Sequence, residues 1–399
     1  MKNKVNNKKQ NKLDNPFYDP SLTKRHLLDK FFKSLSLSAL IFSLVFLIIF
    51  FTDIINKGIP SFKQAYVQVP ITYSAETVAD SIYAVEEKYE TLVSRAWFRD
   101  MPAYVEANPT VMNKTINEWV LADDEVDQYL KGHNNTLNDD EIATLKELQA
   151  LGQVEQKFNV VFFTTGDSKI PENSGFYSSV IGSIMTILVC MAVAFPIGVM
   201  TAIYLEEFAK DNKISHIIEI NINNLAAVPS ILFGLLGLSV FINFFGMPRS
   251  SALVGGLTLA LMTLPVIIVS SRTALRSVPA SIRQAAFSLG LTKWQVVKDH
   301  VLPIGLPGIL TGSIIGMARA MGETAPLIFV GMVVFSPDAP SDFLSAATVM
   351  PAQIYTWAGM PEGAYVEKVS GAIMVLLGVL LSMNAIAIYF RKKYEVKWQ

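Results

Sequence analysis

Cysteine is almost missing from this 399-residue chain: the single one, Cys190, lies inside an apolar run. Disulfides and cysteine-built metal sites within one chain are therefore excluded. Four histidines are scattered along the sequence, none at metal-ligand spacing. No Gly-x4-Gly-Lys-Ser/Thr run occurs, so the chain has no Walker A cradle for nucleotide phosphates. A nucleophile elbow and a His/Asp cluster are absent too, which leaves an integral-membrane enzyme without a reaction centre. Charged residues are scarce, at 17% against 51% hydrophobic, and mean hydropathy is +0.37. Those values belong to a membrane protein. The net charge of −1 is close to neutral; the information lies in where the charges sit.

Six stretches are apolar enough, at about 20 residues each, to cross a bilayer. They lie near Ser36–Ile55, Ser178–Tyr204, Leu225–Phe245, Ala252–Ser271, Leu306–Phe335 and Gly371–Phe390. The first is too long and too far from the start for a cleaved signal peptide. Lysine and arginine crowd both ends, from Lys2, Lys4, Lys8, Lys9 and Lys12 to Arg25 and Lys33, and again at Arg391, Lys392, Lys393 and Lys397. By the positive-inside rule both tails are cytoplasmic, which needs an even number of spans. Six spans also put the Glu206–Lys213 segment and the loop around Gln284 in the cytoplasm, with Ser336–Lys368 outside. The basic N-terminal tail is then a topology signal rather than a nucleic-acid surface.

Between the first two spans lies a different material. Residues 56–176 carry an acidic excess, including Asp123, Asp124, Glu125, Asp127, Asp139, Asp140 and Glu141, and are too polar for lipid. Ala75–Phe98 reads as one helix, and Asn138 with Glu141 caps another that runs to about Leu151. Ala65–Tyr73 and Phe158–Thr165 have strand character. The segment reads as a small α+β domain outside the membrane. Asp123–Asp127 lacks the glycine and terminal glutamate of a calcium loop and reads as a solvated helix face. Pro196 and Pro265 read as kinks in the second and fourth spans, and Ser230 as a helix cap.

Two places carry functional information. The first is the cytoplasmic loop, which is basic at Arg272, Arg276, Arg283, Lys293 and Lys298. Pro279 suits a first helical turn, Ile282, Ala285, Ala286 and Leu289 make a small apolar face, and Gly290 suits a left-handed cap. Thr292 with Gln295 forms a capping box for a second short helix that Pro303 ends. Two small-faced helices joined by a glycine corner can enter a groove on a partner. The second place is the fifth span, with Arg319, Glu323 and Thr324. A central arginine in a span costs roughly 2.5–3.5 kcal/mol, so such groups face a bundle interior or a watery path. Arg319 and Glu323 are four apart and share a helix face, and a guanidinium fork suits an oxyanion.

The loop resembles the coupling loops of ABC-importer permeases, which read Glu-Ala-Ala, three residues, Gly, nine residues, Ile, one residue, Leu-Pro. Here Ala285, Ala286, Gly290, Leu302 and Pro303 fall in register, while Gln284 replaces the glutamate and His300 the isoleucine. The run from Arg319 to Leu327, the Val301–Gly312 block and Val228-Pro229-Ser230-Ile231 resemble PstA-type permeases of the phosphate importer. The likeness spans roughly Phe176 to the C-terminus and, more loosely, the first span. It implies an all-α, six-span type I ABC-importer (MetI-like) bundle with an α+β extracytoplasmic insert between spans one and two. The expected divisions are a basic cytoplasmic tail (1–33), a first transmembrane helix (34–55), the insert (56–176), a permease core of five helices (177–391) with its coupling loop at 272–303, and a second cytoplasmic tail (392–399).

The implied function is phosphate import across a bacterial inner membrane. Arg319, Glu323 and Thr324 would lie on the path, and Gln284, Ala285, Ala286, Gly290, Leu302 and Pro303 would couple to an ATPase through residues 281–303. The chain itself would bind no cofactor, ATP being used by two separate ATPase subunits. The other implied partners are a C-type permease and an extracytoplasmic phosphate-binding protein. Two alternatives stay open: a permease for another oxyanion such as sulphate or molybdate, and a membrane sensor that uses the outer domain.

Overall fold

The computed structural model describes residues 21–393, so the basic residues from Lys2 to Lys12 and Lys397 lie outside the described residues. The chain divides into two compact units, Met1–Asn56 and Lys57–Gln399. The first is represented by one long helix, Ser21–Gly58, longer than the expected span at both ends. Its few hydroxyls are satisfied locally: Ser38, Ser43 and Thr52 donate to carbonyls three or four residues back, at 2.7–3.0 Å. A helix that bonds its own polar groups can present an apolar surface all round.

The second unit begins with the insert. Strand β1 (Lys63–Tyr73) is central in a three-stranded antiparallel sheet of order β2-β1-β3, with β2 at Lys114–Leu121 and β3 at Val154–Phe158. Tyr66 pairs with Leu121 on one side and Glu155 on the other. Alternation in β1 is strict on one face: Ala65, Val67, Val69, Ile71 and Tyr73 are fully buried against the insert's helices. That is the period-2 pattern of a half-covered sheet.

Three expectations change here. The predicted helix Ala75–Phe98 is broken into Ala75–Ala79, a 3-10 turn Ser81–Ala84, the single turn Glu87–Glu90 and a longer helix Arg95–Ala107. Three of the four pieces have their own cap, Ser74, Asp80 and Ser94, whose side-chain oxygens accept backbone N–H groups, while Glu87–Glu90 starts without one. The strand-like run Phe158–Thr165 stops at Phe158, because the Asn159 side chain accepts the Phe162 N–H at 2.9 Å and starts the turn Val160–Thr164. The acidic run Asp123–Asp127 is half-buried rather than solvated. Asp123 caps the helix Asp124–Leu130, and Asp127 accepts the Ala65 N–H and the Lys131 ammonium. Burial pushes the carboxyl of Asp123 up to about 6 and that of Asp124 up to about 7, with neighbouring carboxylates adding to the effect. The capping box at Asn138 and Glu141 forms as expected.

The helical core is organised by two close-packed helices, Tyr177–Ile203 and Ala252–Arg276. Gly256 lies against Val189 and the Thr186 carbonyl, and Gly198 against Ile267, so a methyl group at either would meet its neighbour. Small residues at such crossings let apolar helices approach closely. Pro196 and Pro265 both sit inside these helices. Five helices among the described residues are long and apolar enough to cross a membrane, or six if one bent pair counts as a span. That pair, Lys213–Ala226 and Ser230–Phe244, is bent by 101° and falls where a straight span over Leu225–Phe245 is expected. Pro229 explains the break: it has no N–H to continue the first helix, and it occupies the N-cap of the second. Ser230 is thus the first helical residue rather than the cap.

Two further spans differ at their ends. The expected Leu306–Phe335 span stops at Gly322 and restarts as the short helix Ala325–Phe329. The last helix, Gly363–Lys393, begins eight residues before the expected Gly371. The segment between them, read as a plain loop, contains the helix Met350–Ala358, whose Trp357 is fully buried.

Insert and core are joined by buried charge. Lys131 donates to Asp127 at 2.6 Å, to Glu367 on the last helix at 2.7 Å and to the Lys63 carbonyl at 2.9 Å. Gln128 also reaches Glu367, at 3.1 Å. Lys368 is buried and donates to the Ser174 carbonyl, while Asp167 accepts the Trp357 indole N–H at 3.0 Å. The extra turns at the start of the last helix carry Glu367 and Lys368, and the insert covers them.

Candidate functional site

Glutamates neutralise the basic loop from the end of the Tyr177–Ile203 helix. That helix runs into a π-turn, Tyr204–Phe208, that carries Glu206 and Glu207. Arg276 donates to both Glu206 oxygens at 2.9 Å, and Arg272 reaches Glu206 at 3.5 Å and Glu219 at 3.0 Å. Arg283 pairs with Glu207 at 2.6 Å and also donates to the Val278 and Leu275 carbonyls at 2.7 and 2.9 Å. Its guanidinium fork therefore fixes the entry angle of the helix Ala280–Ser288. These partners were missed in the sequence, although the Glu206-Glu207 pair opposite three arginines was a visible signal. A cavity of about 330 Å³ lies among Glu206, Glu207, Arg276, Arg283, Phe287 and Lys293.

The hairpin has the expected corner. Pro279 is the N-cap of Ala280–Ser288, Gly290 takes φ +82°, and the Thr292–Gln295 capping box starts Lys293–Val296. A left-handed φ is why glycine suits position 290. The apolar face differs. Ala286 turns inward with half-buried Ile282, whereas Gln284, Ala285, Phe287 and Leu289 are exposed, Leu289 at 82%. Residues 282 and 286 are one turn apart and share the inner stripe, which sends Ala285 and Leu289 outward. With Trp294 exposed beside them, the hairpin presents an apolar surface rather than hiding one.

Pro303 does not end the second helix. Lys293–Val296 continues through a π-turn, Val297–Val301, directly into the helix Leu302–Gly322, where Leu302 and Pro303 stand at the start. Pro303 has no N–H to donate, and the π-turn just before it is where the helical hydrogen-bond ladder shifts register. Val297 and Val301 are buried, so the turn is packed into the core. The second helix of the hairpin and the Arg319 helix form one continuous element, Lys293–Gly322, of 30 residues.

At the far end of that element the helix stops at Gly322. Glu323 is extended at φ −80°, ψ 122°, and Thr324 precedes the short helix Ala325–Phe329 without a side-chain cap bond. Arg319 Nε lies 3.5 Å from Glu323 Oε1, with side chains 53% and 22% exposed. The pair is brought together as expected, but across a helix end rather than along one helix face. Arg319 shares an exposed stripe with Gly308, Ile315 and Gly322, at spacings of one helical face. Among the described residues no cluster of His, Cys, Asp or Glu is arranged to hold a metal ion.

A family profile described as "Binding-protein-dependent transport system inner membrane component" matches residues 194–395, about half of the chain. The chain belongs to this family. The matched region includes the π-turn glutamates, the hairpin, the Arg319 helix and the last helix. A second profile, a domain of unknown function (DUF3333), matches 19–88 and 83–139, covering the first helix and much of the insert. Among curated relatives, "Phosphate transport system permease protein PstA 1" of Mycobacterium tuberculosis is 35% identical over 226 residues, covering 56% of this chain and 73% of the relative. "Phosphate transport system permease protein PstA" of Yersinia pestis is 30% identical, covering 55% and 73%. "Probable ABC transporter permease protein YqgI" of Bacillus subtilis is 28% identical, covering 56% and 81%. Among solved structures, the inward-facing MetNI methionine ABC transporter aligns over 55% of this chain and 94% of its own, at 15% identity and a TM-score of 0.42. The chain is thus a helical, multi-pass inner-membrane transport component.

Proposed function

We propose that the chain is the permease subunit of an ATP-driven importer of inorganic phosphate, forming half of the translocation path. The observation that carries this reading is Arg319, more than half exposed on an otherwise apolar helix, at the point where that helix breaks. A lipid-facing arginine there is costly, so the stripe turns toward a second permease subunit and the path between them. The 3.5 Å separation from Glu323 leaves the guanidinium donors available to an oxyanion. Glu323 positions the arginine or accepts from a protonated ligand oxygen, and Thr324 adds a hydroxyl. The naming of relatives as phosphate permeases supports phosphate as the anion.

In this reading the exposed surface of Gln284, Ala285, Phe287, Leu289 and Trp294 docks an ATPase subunit. Gly290, Ala286, Leu302 and Pro303 hold its shape, and no nucleotide binds to this chain. The assembly contains a C-type permease, two ATPases and an extracytoplasmic phosphate-binding protein. In the same reading the bent pair is one of six spans, with both termini and the hairpin in the cytoplasm and the insert outside. Closure of the ATPases pulls the hairpin, and the rigid 30-residue element carries that movement to Arg319.

The test is radiolabelled phosphate uptake by vesicles containing the whole importer. Arg319→Ala should lower uptake by about 10- to 100-fold, the equivalent of one or two charge-assisted hydrogen bonds at roughly 1.5–3 kcal/mol, while assembly is retained. Normal uptake by the assembled variant would remove Arg319 from the path. Competition by sulphate or molybdate at equal strength would replace phosphate with a broader oxyanion selectivity.

A further inference from the structure

The insert has one surface unlike the rest of it. At its base Phe158 is 61% exposed, Val160 54%, Ile59 49% and Phe163 39%, and Tyr177 beside them is 42% exposed. The rings of Phe158 and Phe163 stack at 5.5 Å, with 6° between their planes, and Phe62 stacks on Phe163 at 5.6 Å. From there the aromatic series runs inward through Phe162 and Phe176 to the buried Trp357. Among the described residues nothing covers the outer end of the series. A contiguous apolar patch on an otherwise acidic domain marks an interaction surface.

Chain continuity sets the height of this patch. Ile59 directly follows a helix long and apolar enough to cross a membrane, and Tyr177 is the first residue of the next such helix. Hydrogen bonds tie the patch to both points. Asn159 donates through its backbone to the Phe62 carbonyl at 2.8 Å and through its side chain to the Ser61 carbonyl at 2.9 Å. Phe176 N–H donates to the Phe162 carbonyl at 2.8 Å, and Tyr177 N–H to the Thr165 carbonyl at 3.0 Å. These bonds hold the turn Val160–Thr164 against Ser61, Phe62 and the start of the Tyr177–Ile203 helix.

Its polar groups are also turned away from the surface. Asn159 caps the Phe162 N–H, Thr164 donates to the Val160 carbonyl at 2.9 Å, and Thr165 donates to the Val161 carbonyl at 2.8 Å. Backbone satisfied in this way can enter an apolar medium at little cost. Aromatic rings are favoured where bilayer meets water.

We infer that Ile59, Phe158, Val160 and Phe163 form a foot by which the insert rests in the outer boundary of the lipid bilayer. The foot holds the insert at a fixed height and orientation over the core. It adds a lipid contact to the protein contacts at Lys131 and Glu367, and it is independent of which solute is carried.

Cys190, the single native cysteine, is fully buried, so one introduced cysteine can be labelled selectively in a Cys190→Ala background. Spin labels at Phe158→Cys and, separately, Val160→Cys would be placed on the full chain in vesicles of phosphatidylethanolamine and phosphatidylglycerol. Lys114→Cys, at the opposite end of the sheet and about 30 Å away at roughly 3.3 Å per strand residue, is the aqueous control. The foot requires collisions with oxygen to exceed those with a water-soluble nickel chelate several-fold at both 158 and 160, with the reverse at 114. Nickel-dominated relaxation at 158 and 160 would put the patch in water and overturn the inference. Exclusion of both reagents would overturn it as well, since protein rather than lipid would then cover the patch. Both patch residues are more than half exposed, so replacing either leaves the insert's core intact.

Discussion

Lys131 with Glu367 and Arg319 with Glu323 are both ion pairs in a largely apolar protein, and they are built in opposite ways. In the first, the side chains are 6% and 5% exposed, 2.7 Å apart, and each makes further hydrogen bonds to Asp127, Gln128 or the Lys63 carbonyl. In the second they are 53% and 22% exposed and 3.5 Å apart, and the helix ends between them. A buried pair survives only if its geometry is close and its remaining donors and acceptors are filled. A loose, exposed pair contributes little to stability. The difference separates two kinds of pair: one ties the insert to the last helix, and the other leaves exposed the arginine that the proposed function puts on the path.

The largest effect that would test this contrast is at the joint. Lys131→Met leaves Glu367 and Asp127 buried without their cation and should cost about 3–5 kcal/mol. Thermal unfolding in bilayer discs would register it as a marked fall in Tm, and a double change with Glu367→Leu should recover much of the loss. If Lys131→Met were neutral, the joint would not be holding the insert. Arg319→Ala, by contrast, should alter stability by less than about 1 kcal/mol while lowering uptake. A large fall in its Tm would turn the supposed site into a second joint.

Next in size is the hairpin surface. Ala285 is exposed on Ala280–Ser288, so Ala285→Arg should change stability by no more than about 0.5 kcal/mol, as surface changes usually do. It should nonetheless abolish co-purification of the ATPase, because a small residue permits close approach and an arginine does not. Retained ATPase with normal uptake would move the docking surface elsewhere.

The smallest effect concerns pH. Asp123 and Asp124 have carboxyls raised to about 6 and about 7 in the folded insert, above their ordinary value of 3.8. Over that interval the folded state binds more protons than the unfolded one, so their contribution is full below the ordinary value and is lost as pH rises toward about 7. The insert's Tm should therefore rise modestly as pH falls from about 7.5 to about 5, and Asp124→Asn should flatten that slope. A Tm that falls over the same range would contradict the burial of these groups.

Much of the hairpin was legible in the sequence because its signals are local. Gly290, the Thr292–Gln295 box and Pro279 each act within one turn of their own position, and each sits where its chemistry demands. The Arg319 pair was legible as two costly charges, and Gly322 and Pro326 as residues that weaken a helix there, but the apolar pattern continues through Ala325–Phe329 and hid that the helix stops. β2 was missed because Lys114–Leu121 has only Val120 fully buried, with Ile116 and Glu118 half-covered. The Trp357 helix was missed because it is only nine residues long and packs mainly against the last helix, with the remote helix Tyr177–Ile203 on its other side.

The sequence by itself determined which segments are apolar, where locally capped turns such as Thr292–Gln295 begin, and that a basic loop and an arginine interrupt the apolar runs. Helix hydrogen bonds and caps close within four residues, so residue order is enough to specify them. Tertiary structure decided what each charge does. Glu367 meets Lys131 across 236 residues of chain, Glu206 and Glu207 meet the loop arginines across 70 and 76, and among the described residues Arg319 is paired with Glu323, four residues on. Long-range pairing depends on how the helices and the insert pack, and that packing separates a buried structural ion from one left exposed.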